Sequence, residues 1–144
     1  MATSPLSLKG RALRLLGQRE HSRLELERKL AEHETEPGAL AQALDELQTK
    51  GFINDARVVE SVVYRRAGKL GTARLKQELQ AKGLGAQAMA EALEQLRGTE
   101  LERARAVWSR KFGAPATDPK ERARQQRFLI SRGFAAEVVR KLVG

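Results

Sequence analysis

The sequence has no cysteine, which removes disulfides, thiolate zinc sites, iron–sulfur ligation and cysteine nucleophiles together and fits a reducing compartment. Histidine is almost as scarce, with only His21 and His33. Neither belongs to a Ser-His-Asp arrangement or an H-E-x-x-H stretch, and His21 stands where a helix begins, a place for a surface or staple role. No glycine-rich phosphate loop is present. Asp45, Asp55 and Glu60 lack the spacing that two-metal chemistry needs, and capping and solvation account for them. Aromatic residues are 4% of the chain, too few for base stacking to be the main mode of any nucleic-acid contact. No apolar run approaches the ~18 residues that cross a bilayer, and MATSPLSLKG lacks the apolar core of a signal peptide. No stretch alternates with period two for long enough to make a strand. The expectation is a cytoplasmic protein that is not an enzyme and uses no membrane, with no catalytic, cofactor-binding or metal-binding residue and no cofactor.

What the chain does have is positive charge and helical periodicity. Its 144 residues carry a net charge of +9, which favours acidic partners. The excess is uneven. Eight basic and eight acidic side chains cancel over 1–50, the net is +3 over 51–98, and it reaches +6 over 99–144. Apolar residues recur at helical spacing: Leu40, Leu44 and Leu47; Val58/Val59 and Val62/Val63; Met89, Leu93 and Leu96; Leu101, Ala104, Val107/Trp108 and Phe112. The fold class is all-α. Nine helices are expected, near 6–19, 22–34, 37–49, 55–67, 72–82, 86–96, 99–112, 119–131 and 135–142. Their start signals are Ser22 with Glu25, Thr35 with Pro37, Asn54 or Asp55, Thr99 with Glu102, and Asp118–Pro119 with Glu121.

The stop signals repeat. Leu47…Gly51–Phe52, Leu79…Gly83–Leu84 and Leu129…Gly133–Phe134 each place a cation before a glycine, and an apolar residue that can fold back on the leucine after it. RLKQELQAKGLGAQAMAEALEQL (74–96) aligns with RARQQRFLISRGFAAEVVRKLV (122–143) and, more weakly, with LELERKLAEHETEPGALAQALDEL (24–47). Arg19, Arg66 and Arg110 close the helix preceding each. The reading is three tandem three-helix repeats at 10–51, 52–96 and 97–144 after a lead-in over 1–9, stacked into an elongated, curved array.

Two basic clusters stand out. Arg65, Arg66, Lys69, Arg74 and Lys76 crowd an acid-free bend between two helices. Lys120, Arg124, Arg127 and Ser131 form one stripe on the eighth helix, away from the side bearing Leu129 and Ile130, with Arg132, Arg140 and Lys141 beyond it. Contacts to nucleic acid through such residues are phosphate-dominated and salt-sensitive.

The segment GFINDARVVESVVYRRAGKLGTARLKQELQAKGL (51–84) resembles the central signature of the RecX family of bacterial regulatory proteins. ALRLLGQREHSRLELERKL (12–30) and the closing 122–143 segment are similar to that family's first and last units. Val58–Val59 depart from the usual aromatic–small pair, and His33–Glu34 stand where the first unit would carry a terminal glycine. A monomer is expected, and the resemblance implies a modulator, usually an inhibitor, of the RecA recombinase that lodges in the groove of the RecA–single-stranded-DNA filament. It implies depressed ATP hydrolysis, strand exchange and SOS-repressor cleavage. The partners implied are RecA and single-stranded DNA, with double-stranded DNA left open. The matching positions are Arg65, Arg66, Lys69, Arg74 and Lys76 in the middle and Arg124, Arg127, Arg132 and Arg140 at the end. The alternative is a stand-alone basic nucleic-acid-binding helical module.

Overall fold

Side-chain caps set most of the helix starts. In the computed structural model, which describes residues 6–144, Ser7 opens α1 (Leu8–Gln18) and Ser22 opens α2 (Arg23–Leu30). At α2 the Ser22 hydroxyl accepts from the Glu25 N–H at 3.2 Å, and the Glu25 carboxylate accepts from the Ser22 N–H at 3.0 Å, a complete capping box. A 3-10 turn, Ala31–His33, finishes α2, with no glycine at its end. Then come α3 (Ala39–Thr49) and α4 (Asp55–Arg66), with Asn54 Oδ1 accepting from the Arg57 N–H at 3.0 Å. The remaining helices are α5 (Thr72–Ala81), α6 (Ala86–Lys111), α7 (Pro119–Ser131) and α8 (Ala136–Val143). At α7, Asp118 caps and Pro119 occupies the first turn, as expected. Residues 1–5 of the expected lead-in lie outside the described residues.

Several expectations need correction. The helices expected at 86–96 and 99–112 are one helix of 26 residues. Leu93, Leu96, Glu100, Ala104 and Val107 continue one buried stripe across the junction, so tertiary burial carries the helix past Gly98. Thr99 does not cap; its hydroxyl turns back to the Leu96 carbonyl at 3.3 Å. Thr35 does not open α3 either. The Glu34 carboxylate takes the Leu40 N–H at 2.8 Å, with Gly38 as N-cap. Phe52, expected to fold back on Leu47, is 47% exposed, and Ile53 is buried instead. Ile130, placed on the inner side with Leu129, is also exposed. The helix endings themselves form: Phe52 N–H donates to the Leu47 carbonyl at 2.9 Å and Phe134 N–H to the Leu129 carbonyl at 3.2 Å, with Gly51 and Gly133 left-handed.

The chain makes two units. The first runs to Val58 and includes Lys82–Leu84. It packs α1, α2 and α3 around Ala12, Leu26, Leu30, Leu44 and Leu47. His21 is 1% exposed here, so the surface alternative fails. Its Nδ1 meets the Arg19 carbonyl at 3.0 Å and its Nε2 meets Lys29 Nζ at 3.1 Å. The second unit comprises 59–81 and 85–144, with α6 as a spine against which α5, α7 and α8 pack. Part of its core is Ala104, Val107, Leu129, Phe134, Val138 and Val139.

Candidate anion-binding cleft

In the second unit two distant turns meet without side chains between them. The Gly71 N–H donates to the Arg132 carbonyl at 2.7 Å. A Cβ on Gly71 would collide with the Gly133 peptide, and one on Gly133 with the backbone of Arg74. Gly133 also needs its left-handed φ of 93°. The two glycines therefore let the bend before α5 lie flush on the turn between α7 and α8. That contact brings Arg66, Lys69 and Arg74 beside Arg132, while α6 supplies Arg110 and Lys111. The result is an open cleft of about 420 Å³ with a floor of Leu70, Val107 and Phe128. Six cations line it and, among the described residues, no carboxylate does.

Local bonds hold these cations in place. Arg66 pairs with Glu78 through two bonds, 2.7 and 3.2 Å, which raises the guanidinium pKa. Arg110 donates to the Gly68 carbonyl at 2.7 Å and Arg74 to the Ser131 carbonyl at 3.2 Å. Lys111 and Arg132 sit over the Phe128 ring, 5.3 and 4.7 Å from its centroid, and that ring packs edge-on to Phe112. Among the described residues Lys69, Arg74, Arg110, Lys111 and Arg132 make no salt bridge to a carboxylate. Cations gathered this closely repel one another, and an anion in the cleft relieves that repulsion.

A second device sits behind the cleft. Glu100, 6% exposed, accepts from the Thr72 N–H at 2.7 Å and from the Ala135 N–H at 3.4 Å. One buried carboxylate thus serves the starts of both α5 and α8. Arg103, one turn on, donates to the carbonyls of Ala67, Leu70 and Leu96 and to the Thr72 hydroxyl. Burial lowers its pKa and Glu100 opposes that shift. The pair fixes the bend that carries Lys69.

Of the ten cations expected from sequence, Arg66, Lys69, Arg74 and Arg132 come together here. Arg65 is exposed and bonds back to the Ser61 carbonyl at 3.3 Å. Lys76 lines a second cleft with Arg97, Glu100 and Glu137. Arg124 pairs with Glu121 at 3.1 Å and lies over Phe112. Lys120, Arg127 and Arg140 are exposed outside the main cleft. Sequence reasoning missed Arg110, Lys111 and Glu100 as site residues. The adjacent cations at the end of α6 were a usable signal, and so was a carboxylate on that helix's apolar stripe. In the first unit, by contrast, several cations are neutralised: Arg19 and Lys82 on Glu25, Arg23 on Asp45, Arg57 on Glu20. Among the described residues no group of three or more metal-ligating side chains gathers, and no helix is long and apolar enough to cross a membrane.

Comparison with known proteins adds a family. Models of the first, second and third three-helix domains of RecX match residues 9–47, 54–93 and 99–143. The chain is 56% identical over 138 residues to the regulatory protein RecX of Leptothrix cholodnii, covering 96% of this chain and 88% of that one. It is 49% identical over 139 residues to that of Ralstonia nicotianae, covering 96% and 87%. A crystal structure of a regulatory protein RecX superposes with a TM-score of 0.79 at 23% identity, over 94% of this chain and 70% of the other. That of RecX from Lactobacillus salivarius gives 0.76 at 18% identity, over 94% and 91%.

Proposed function

The chain belongs to the RecX family of regulatory proteins, and from that premise we propose that it binds the RecA–single-stranded-DNA filament in its groove and inhibits the recombinase. The observation that carries this reading is the six-cation cleft, built from residues on both sides of the 97–144 boundary in a chain of this family. A filament groove lined by acidic protein and DNA phosphates is a complementary surface. We take the repeats as 10–51, 52–96 and 97–144, and the chain as a cytoplasmic, monomeric, non-enzymatic regulator. Adding it to recombinase, ATP and single-stranded DNA lowers ATP turnover at substoichiometric ratio; unchanged turnover over a full titration overturns the reading. The clustered cations also favour a second reading, a stand-alone nucleic-acid-binding module. That reading requires tight binding to naked strand that weakens steeply with salt, without any effect on recombinase.

A further inference from the structure

We propose that the cleft between the α4–α5 bend, the end of α6 and the α7–α8 turn is a phosphate-binding site that takes two or more neighbouring phosphate groups. The inference deepens the regulatory reading and rests on it for the ligand's biological role.

Three observations carry it. First, the charge is concentrated. Arg66, Lys69, Arg74, Arg110, Lys111 and Arg132 share a space of about 420 Å³, so a single anion leaves most of the repulsion in place. Second, the occupant must deliver its charge compactly. A peptide brings one charge per carboxylate, together with the carbons and backbone that bear it. Linked phosphates bring a charge and several acceptor oxygens on each phosphorus, and no intervening side chain. Third, four of the six cations are arginines held by carbonyls, a carboxylate or an aromatic ring. Arg74, Arg110 and Arg132 are oriented before any ligand arrives without giving a fork to a carboxylate, the arrangement suited to contact with phosphate oxygens, while Arg66 already gives its Nε and Nη2 edge to Glu78. Lys69, exposed at the rim on the bend, completes the set as a mobile point charge.

The backbone of a nucleic-acid strand and the polyphosphate of a free nucleoside triphosphate both present this chemistry, and the test separates them. The protein would be the full chain, as wild type, as Lys69→Ala with Arg132→Ala, and as Arg14→Ala with Arg105→Ala. The last pair removes the same charge from exposed positions elsewhere. The probes are a fluorescein-labelled oligothymidylate, read by anisotropy across a salt series, and unlabelled ATP as competitor. The cleft pair is expected to weaken strand binding about tenfold and to reduce the salt slope by about 1.4, for two phosphate contacts at ~0.7 each. The reference pair changes affinity less than about twofold. Displacement by micromolar ATP identifies a nucleotide as the source; strand binding that ATP leaves intact identifies the backbone. Equal weakening by both pairs, or no weakening by the cleft pair, overturns the site. Recombinase ATPase, run on the same proteins, keeps the two readings apart. Wild type that binds strand but leaves turnover unchanged overturns the regulatory reading and not the site. A cleft variant that loses strand affinity no more than the reference pair, yet still inhibits, overturns the site alone.

Discussion

Replacing Glu100 by alanine tests how the second unit is held together. Its carboxylate takes the Thr72 N–H at 2.7 Å and the Ala135 N–H at 3.4 Å, in a position from which water is almost excluded. The alanine variant leaves two donors at helix starts without their acceptor, and leaves half-buried Arg103 without the charge that opposes its desolvation. A charge-assisted bond of the shorter length is worth about 2 kcal/mol, and the longer bond with the lost compensation brings the total to about 3 kcal/mol. At roughly 3 °C per kcal/mol for a chain of this size, the melting temperature falls by about 10 °C. Glu100→Gln keeps one acceptor and is expected to lose about half as much. Thermal and urea unfolding, followed by far-ultraviolet circular dichroism, give both values. An alanine variant within about 0.5 kcal/mol of wild type, the range of ordinary surface changes, refutes the double-cap argument.

Other substitutions follow from the same geometry. Gly71→Ala drives a methyl group into the Gly133 peptide and is expected to cost about 2 kcal/mol, whereas Gly68→Ala, with open space around it, stays within about 0.5 kcal/mol in the same unfolding assay. Arg124→Glu with Arg127→Glu, both outside the cleft, leaves the melting temperature nearly unchanged, since the Arg124–Glu121 pair is exposed; a large loss in melting temperature would make those arginines structural. Acid weakens the first unit in two stages. Burial holds the His21 pKa below 6.5, so the neutral ring's contribution is full above pH 6.5 and declines as pH falls below it. Burial pushes the Glu25 pKa up, but bonds from Arg19, the Ser22 N–H and Lys82 outweigh it and hold the carboxyl at about 2. Its contribution, on the order of 3 kcal/mol, is complete above pH 4.5 and disappears between there and pH 2. In urea unfolding at a series of pH values, His21→Gln flattens the upper stage and Glu25→Gln the lower; unchanged profiles would refute both assignments.

Local chemistry was readable and long-range packing was not. Asp118–Pro119–Glu121 and Ser22–Glu25 specify helix starts within four residues, so the sequence pattern locates α7 and α2 directly. Thr99–Glu102 carries the same pattern and means something else, because Glu100 lies on the buried stripe of α6 and its partners are the distant Thr72 and Ala135. The cleft divides in the same way. Arg66, Lys69 and Arg74 are neighbours in sequence and show as a cluster there. Arg110, Lys111 and Arg132 join them through the backbone contact of Gly71 with Gly133, which no local pattern announces. The charge drift along the chain carries over in part: Lys9, Arg19 and Arg23 of the neutral first third pair with carboxylates, whereas among the described residues only Arg66 of the six cleft cations does.

The most direct test is retention of the full chain on recombinase filaments assembled on bead-tethered single-stranded DNA, against the bare strand and against recombinase without DNA. Retention on filaments well above either control is the predicted result. Equal retention on filament and bare strand would contradict a filament regulator and leave a basic protein that binds nucleic acid by charge alone.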